Sequence, residues 1–216
     1  MRYVDLFNEI QLKRDYYEDP VTGANWRYTV NDEEKRVFVE VQETKTFKDW
    51  MYNLNVIPVK VEDHFGRTIT VPMGVRIQAE VIIQDILDHV NGVKTDKYLP
   101  TSYEWYFTGW SLGGMTSGTA GFVLNGTLGV KEHYIGYGTP AFLWGKKSLA
   151  TFVETFASVK NFLYNDDWIR SLIPLYKRPD YEDVKPVNPD NPQTLDQRHR
   201  VYGHCTYKES DIHLPN

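Results

Sequence analysis

The chain has 216 residues, 41% hydrophobic and 25% charged, with a formal net charge of -5. That length fills one core and is short for two, so a single domain over residues 1–216 is expected. The acidic balance argues against nucleic acid, whose binding needs clustered Lys and Arg to displace counterions. The lack of any run of 18 apolar residues argues against a membrane span.

The first segment, MRYVDLFNEIQLKRDYYEDP, is charged throughout and lacks the apolar centre of a signal peptide. With Cys205 as the single cysteine, no internal disulfide can form. A cytoplasmic protein, or one released without a signal peptide, is the expectation. Short basic clusters such as Lys146-Lys147 read as solvated surface. The 15 Tyr and 6 Trp suit a carbohydrate or lipid binder as well as an aromatic core.

In chain order, the pattern predicts a helix over Val4 to Tyr17, stopping before Asp19-Pro20. A hairpin follows, NWRYTV and KRVFVEVQ, with NDEE as its polar turn. In ETKTFKDWMYNLNV, Phe47, Trp50, Met51 and Leu54 lie at helical spacing, which fits a short amphipathic helix or a flap with one apolar face. VEDHFGRTITV reads as a second hairpin. The helix from Val75 to Val90 puts Ala79, Ile82, Ile83, Ile86, Leu87 and Val90 on one face, with Gly92 as its stop.

YEWYFTG is a continuous apolar run, as in a strand buried on both faces. LGGMTSGTAGFVL is a small-residue helix suited to close packing on a sheet. EHYIGYG is a further strand, Ser148 to Phe156 a helix, and SVKNFLYN the last strand. Asp180 to Gln197 is rich in Pro, Asp and Asn and reads as a long surface loop. Alternating helices and strands predict an α/β protein with a central, mostly parallel sheet flanked by helices.

Between the run YEWYFTG and the small-residue helix lies Gly109-Trp110-Ser111-Leu112-Gly113. A strand, a G-x-S-x-G turn and a helix make the nucleophile elbow of α/β hydrolases. Glycines at 109 and 113 let strand and helix approach, and the start of the helix offers N–H groups where negative charge develops. A serine hydroxyl needs a histidine base, and the histidine an acid, in the chain order Ser, acid, His. Asp166 and Asp167 end the strand FLYN, and His204 lies in VYGHCTY downstream. Both aspartates stay open at this point. The bland readings are a turn serine, turn aspartates and a surface histidine.

These residues resemble the fungal-type class 3 lipase family over roughly residues 25 to 209. The family elbow T-G-H-S-L-G-G compares with TGWSLGG. Its F-G-[ST]-P strand end compares with YIGYGTPAF, through Gly138, Thr139 and Pro140. Its acid segment V-x-x-x-D-I-V-P aligns with LYNDDWIRSLIP, and Tyr202, His204 and Glu209 match its Y-x-H-x-x-x-E. The family's R-G-T-x-S-x-x-D-W-x-x-D-L follows a strand, as ETKTFKDWMYNL does here.

The resemblance implies an α/β-hydrolase fold and a serine carboxyl-ester hydrolase of lipids or other acyl esters, needing neither metal nor organic cofactor. It implies Ser111 as nucleophile, Asp167 as acid and His204 as base. It also implies Thr44 and the Leu112 N–H as the oxyanion hole, and residues 45–57 as a lid with Phe47, Trp50 and Met51 on its apolar face. The sequence departs at Gln42-Glu43 (Arg-Gly in the family), at Trp110 (histidine) and at Arg170 (proline). Glu43 motivates an alternative, a non-catalytic lipid- or partner-binding protein of the same fold. A phospholipid, thioester or cell-envelope ester as substrate would use the same triad.

Overall fold

The structure is a computed structural model that describes residues 5–6, 9–10, 15–42, 55–128, 131–164, 175–179, 182–186 and 205–206. Its framework is an eight-stranded sheet. The strands are β1 (Tyr17–Glu18), β2 (Asn25–Asn31), β3 (Arg36–Gln42), β6 (Glu104–Trp110), β7 (Glu132–Tyr137), β9 (Ser158–Tyr164), β11 (Glu182–Pro186) and β12 (Cys205–Thr206), in that spatial order. The five from β3 to β11 are parallel, while β1 and β2 at one edge and β12 at the other run antiparallel to their neighbours.

A side hairpin, β4 (Pro58–Glu62) with β5 (Thr68–Pro72), leads into helix α1 (Met73–Val90) on the crossover from β3 to β6. Helix α2 (Leu112–Leu124) joins β6 to β7. The crossover from β7 to β9 carries β8 (Leu143–Trp144), which pairs with β10 (Tyr176–Lys177), and helix α3 (Gly145–Thr155). Parallel neighbours need such crossovers, and the ones over β6 and β7 place α1 and α2 together against the sheet.

Period-2 alternation divides the central strands between two buried faces. Val37, Val39, Val41, Trp105, Phe107 and Tyr134 join the main core with α1 and α2. The opposite face carries Phe38 stacked on Tyr106, Tyr106 stacked on His133, and Tyr137 stacked on Phe162, all buried. Burial on both sides is why these strands read as unbroken apolar runs. Helix α2 is buried along nearly its whole length. A Cβ at Gly118 would stand 2.8 Å from the Tyr134 ring, and one at Gly121 2.7 Å from the Phe107 ring. The small residues of α2 therefore make room for large aromatics of the sheet, and each such ring contributes roughly 1.5–3 kcal/mol by its burial.

Three expectations need correction. Tyr17 is not helical: it lies in β1, opposite Trp26, with its ring stacked on the Trp26 indole. The stretch from Asp180 is not all loop, because Glu182, Asp183 and Val184 pair in parallel with Phe162, Leu163 and Tyr164, so β9 is not the last strand. Backbone pairing at the sheet edge overrides a composition rich in turn formers. Third, the buried face of α1 is Val75, Gln78, Ala79, Ile82, Asp85, Ile86 and His89, while Ile83, Leu87 and Val90 are only half-buried.

Asp85 explains that rotation. Its buried carboxylate accepts from Trp26 Nε1 at 2.8 Å, from the Tyr28 hydroxyl at 2.6 Å and from the Lys94 ammonium. Burial pushes its pKa up, but Lys94, Tyr28 and Trp26 together hold it below the ordinary value. A carboxylate so fully supplied with donors can occupy a core position that an isolated one could not. At the far end of α1, Gly92 adopts φ 73° and donates its N–H to the His89 carbonyl, the helix stop expected there.

Glu132, the first residue of β7, is 3% exposed, and burial pushes its carboxyl up to about 7. Asn125 Nδ2 donates to its Oε2 at 2.8 Å, and Arg67 in turn donates to Asn125 Oδ1 at 2.6 Å. These contacts offset only part of the desolvation. A folded pKa above the unfolded value means that protonated Glu132 favours the fold. The contribution is complete below about pH 4.5 and is lost as pH rises through about 7. Its size is about 3 kcal/mol at most. Glu132→Gln keeps the acceptor for Asn125 and removes the titration. Its Tm should match wild type at pH 4 and exceed it at pH 8; parallel Tm–pH curves would refute the assignment.

Candidate active site

The serine turn sits where β6 ends and α2 begins, at the C-terminal ends of the parallel strands. That end of an open α/β sheet is where crossovers leave a crevice for ligands. Ser111 occupies φ 55°, ψ -123°, a region an L-residue enters only under strain. Its N–H donates to the carbonyl of Tyr137, the last residue of β7, at 2.8 Å. The turn is thus fixed to the neighbouring strand, while the Ser111 carbonyl accepts from Gly114 N–H at 3.0 Å and begins the helix.

The glycines are required by contact. A Cβ on Gly109 would lie 2.4 Å from the Gly113 carbonyl group, and a Cβ on Gly113 would lie 2.2 Å from the Val41 carbonyl oxygen. One on Gly114 would meet the Thr139 hydroxyl at 2.0 Å. Strand β3, the turn, the start of α2 and the loop after β7 therefore meet at a single point. The motifs TGWSLGG and YGTP, 28 residues apart from Ser111 to Thr139, are neighbours in space through Gly114 and Thr139.

The first N–H groups of α2 have no intrahelical acceptor, and the helix dipole adds partial positive charge there. Leu112 is the first residue of α2, so its N–H belongs to this set. An oxygen that develops negative charge beside Ser111 would be stabilised by such donors without any reorganisation. Behind the turn, Asn161 is 1% exposed, and a Cβ on Gly136 would stand 2.9 Å from its Oδ1, 2.6 Å from Thr139 Oγ1 and 2.4 Å from the Tyr134 hydroxyl. Of this buried polar group only Thr139 lay in a recognised motif; Asn161 and the Tyr134 hydroxyl, from β9 and β7, were not singled out.

Gln42 Nε2, from the last residue of β3, donates to the Ile10 carbonyl at 2.6 Å and so ties the strand end to the N-terminal segment. Trp110 is buried on the aromatic face of the sheet. Of the expected site residues, Ser111 and Leu112 are placed adjacent at the turn. Thr44, Phe47, Trp50, Met51, Asp167 and His204 lie outside the described residues, as do Asp166, Glu43, Arg170 and most of the expected lid. Its end, Asn55 to Ile57, has no regular secondary structure and leads into β4. Among the described residues, no group of three or more His, Cys, Asp or Glu could hold a metal ion, and no helix is long and apolar enough to cross a membrane.

Comparison with solved structures finds lipases of the same fold. The chain is similar to the native Rhizomucor miehei lipase propeptide complex, with 16% identity, a TM-score of 0.63, and 88% of this chain covering 64% of the other. It is similar to the mono- and diacylglycerol lipase from Aspergillus oryzae at 16% identity and a TM-score of 0.62, covering 88% and 67% of the two chains. A triacylglycerol lipase whose catalytic centre is a serine protease triad matches at 16% identity and a TM-score of 0.62, covering 81% and 66%. The chain spans about two thirds of the length of these lipases. No curated protein matches its sequence. The sequence pattern of the family Lipase (class 3) matches residues 38–177, which run from β3 through the serine turn to β10. With that match over more than half its length, and with a mostly parallel sheet of the α/β-hydrolase type, the chain belongs to the class 3 lipase family.

Proposed function

We propose that this protein is a serine carboxyl-ester hydrolase acting on lipid acyl esters. The observation that carries the reading is Ser111, held at φ 55° between a buried strand and a helix start by contacts that only glycine neighbours permit. Strain of this kind, roughly 1–3 kcal/mol, persists where the surrounding structure enforces it, and it concentrates at active sites. Membership of the class 3 lipase family adds to it.

In this reading Ser111 Oγ attacks the ester carbonyl carbon while His204 takes its proton. Asp167 holds the imidazole and stabilises its charged form. The oxyanion is bound by the Leu112 N–H and by Thr44. The tetrahedral intermediate collapses, the C–O bond to the alcohol breaks, and His204 protonates the departing alkoxide. Water then attacks the acyl-enzyme by the same steps in reverse roles. Phe47, Trp50 and Met51 would present an apolar face to the acyl chain, which favours a long-chain or aggregated ester over a small polar one.

The test is labelling with a fluorophosphonate, followed by intact mass, alongside hydrolysis of dispersed and emulsified acylglycerols. A single adduct on wild type, absent from His204→Ala, is the expected result, with faster turnover on the emulsion. A folded wild type that takes no label and cleaves no ester would replace this reading by that of a lipid- or partner-binding protein.

A further inference from the structure

We propose that the surface around Trp144 is a docking site for an anionic lipid surface, an inference that rests on the hydrolase reading and names where its substrate would be presented. The pairing of β8 with β10 sets Trp144 opposite Tyr176, with the two rings 5.1 Å apart, edge to face. The Tyr176 hydroxyl donates to the Val56 carbonyl at 2.8 Å, which brings the segment before β4 to the same place. Four apolar side chains are left exposed there: Val56 at 53%, Ile57 at 55%, Trp144 at 39% and Leu175 at 68%.

Three cations border this group. Lys146 and Lys147 lie in the first turn of α3, directly after Trp144 and Gly145, and Lys177 pairs with Leu143 and accepts the Phe142 N–H at its carbonyl. All three are exposed. The residues of β8, β10 and the first turn of α3 include no Asp or Glu, although the whole chain carries a net charge of -5. Local positive charge on an acidic protein selects for an anionic partner at short range, and repels it elsewhere.

The chemistry favours a lipid surface as that partner. Trp sits well at a membrane–water boundary, aliphatic side chains enter the acyl region, and lysines meet the headgroups, each adding about 1 kcal/mol near an anionic surface. The position is also apt. Trp144 lies five residues beyond Thr139, whose hydroxyl packs under Gly114 at the start of α2, so the patch and Ser111 are joined by one short, ordered segment.

The experiment measures co-sedimentation of the Ser111→Ala chain, which cannot turn over, with vesicles of phosphatidylcholine alone and of phosphatidylcholine mixed with phosphatidylglycerol. Binding should favour the anionic vesicles and weaken as salt is raised. Lys146→Gln, Lys147→Gln and Lys177→Gln together should reduce it roughly a hundredfold, about fivefold for each charge. In the Ser111 background the same three changes should leave hydrolysis of a water-soluble ester unchanged, which reports that the fold is intact. Equal binding to both vesicle types, or a triple variant that binds like its parent, would overturn the proposal. Charge-selective binding by a chain that cleaves no ester would leave the docking surface standing and remove the hydrolase reading instead.

Discussion

Ser111→Ala is expected to lower kcat/KM on acyl esters by about 10⁴-fold or more, with the fold unchanged. The size follows from the role: a nucleophile works as a unit with its base and oxyanion donors, so its removal forfeits nearly all that the set contributes. The same position makes a separate prediction about stability. At φ 55° and ψ -123° a Cβ is strained, at a cost of roughly 1–3 kcal/mol. Alanine keeps that Cβ and glycine does not, while glycine gives the unfolded chain more freedom, worth about 0.5–1 kcal/mol against it. Strain is the larger quantity. Ser111→Gly should therefore be as inactive as Ser111→Ala and more stable by about 1 kcal/mol, read from paired denaturant titrations. An alanine variant retaining a few per cent of activity would remove Ser111 from the chemistry. A glycine variant less stable than the alanine one would show that the turn is held without strain.

The turn was legible because its constraint is local. Gly109, Ser111 and Gly113 fall within five residues, so the pattern shows in consecutive sequence even though Gly113 answers to Val41 on the neighbouring strand. The strands and helices around it were legible for the same reason: burial on both faces of β6, or a small-residue run in α2, is written in consecutive residues. What escaped was set by distant partners. Asp85 looks like a solvent-facing residue in the pattern of α1, yet Trp26, Tyr28 and Lys94 supply it with donors from β2 and from beyond the helix, and so turn the helix by one position. Strand β11 was hidden in a segment of turn formers because its pairing with β9 is made by backbone groups that any residue carries. Likewise the polar group at Asn161, Thr139 and Tyr134 comes from three places in the chain, and no spacing announces it. Lys146 and Lys147 read as plain surface until the pairing of β8 with β10 set Lys177 beside them.

Gly113→Ala should be among the most damaging single methyl groups that can be added to the described part of the site. Its Cβ would stand 2.2 Å from the Val41 carbonyl oxygen, 2.8 Å from the Val41 carbonyl carbon and 2.9 Å from that of Gln42. All three are backbone atoms, so no side-chain rotation relieves the contact. Nor can β3 retreat, since it is held by full ladders to β2 on one side and β6 on the other. The helix start must move instead, and with it Ser111 and the N–H groups that follow. Overpacking of a core by a methyl ordinarily costs about 1–3 kcal/mol where side chains can adjust, so about 4 kcal/mol is expected here. For a chain of this length that lowers Tm by roughly 10 °C. Activity of the folded fraction should fall at least about a hundredfold, because a displacement near 1 Å at the reacting atoms is enough for that loss. Gly92→Ala is the informative control. Its φ of 73° is equally left-handed, but no atom lies within 4 Å of the added Cβ, so it should cost only about 1 kcal/mol and leave activity alone. If the two variants behaved alike, the close approach of β3 to the start of α2 would have no part in holding the serine where it is.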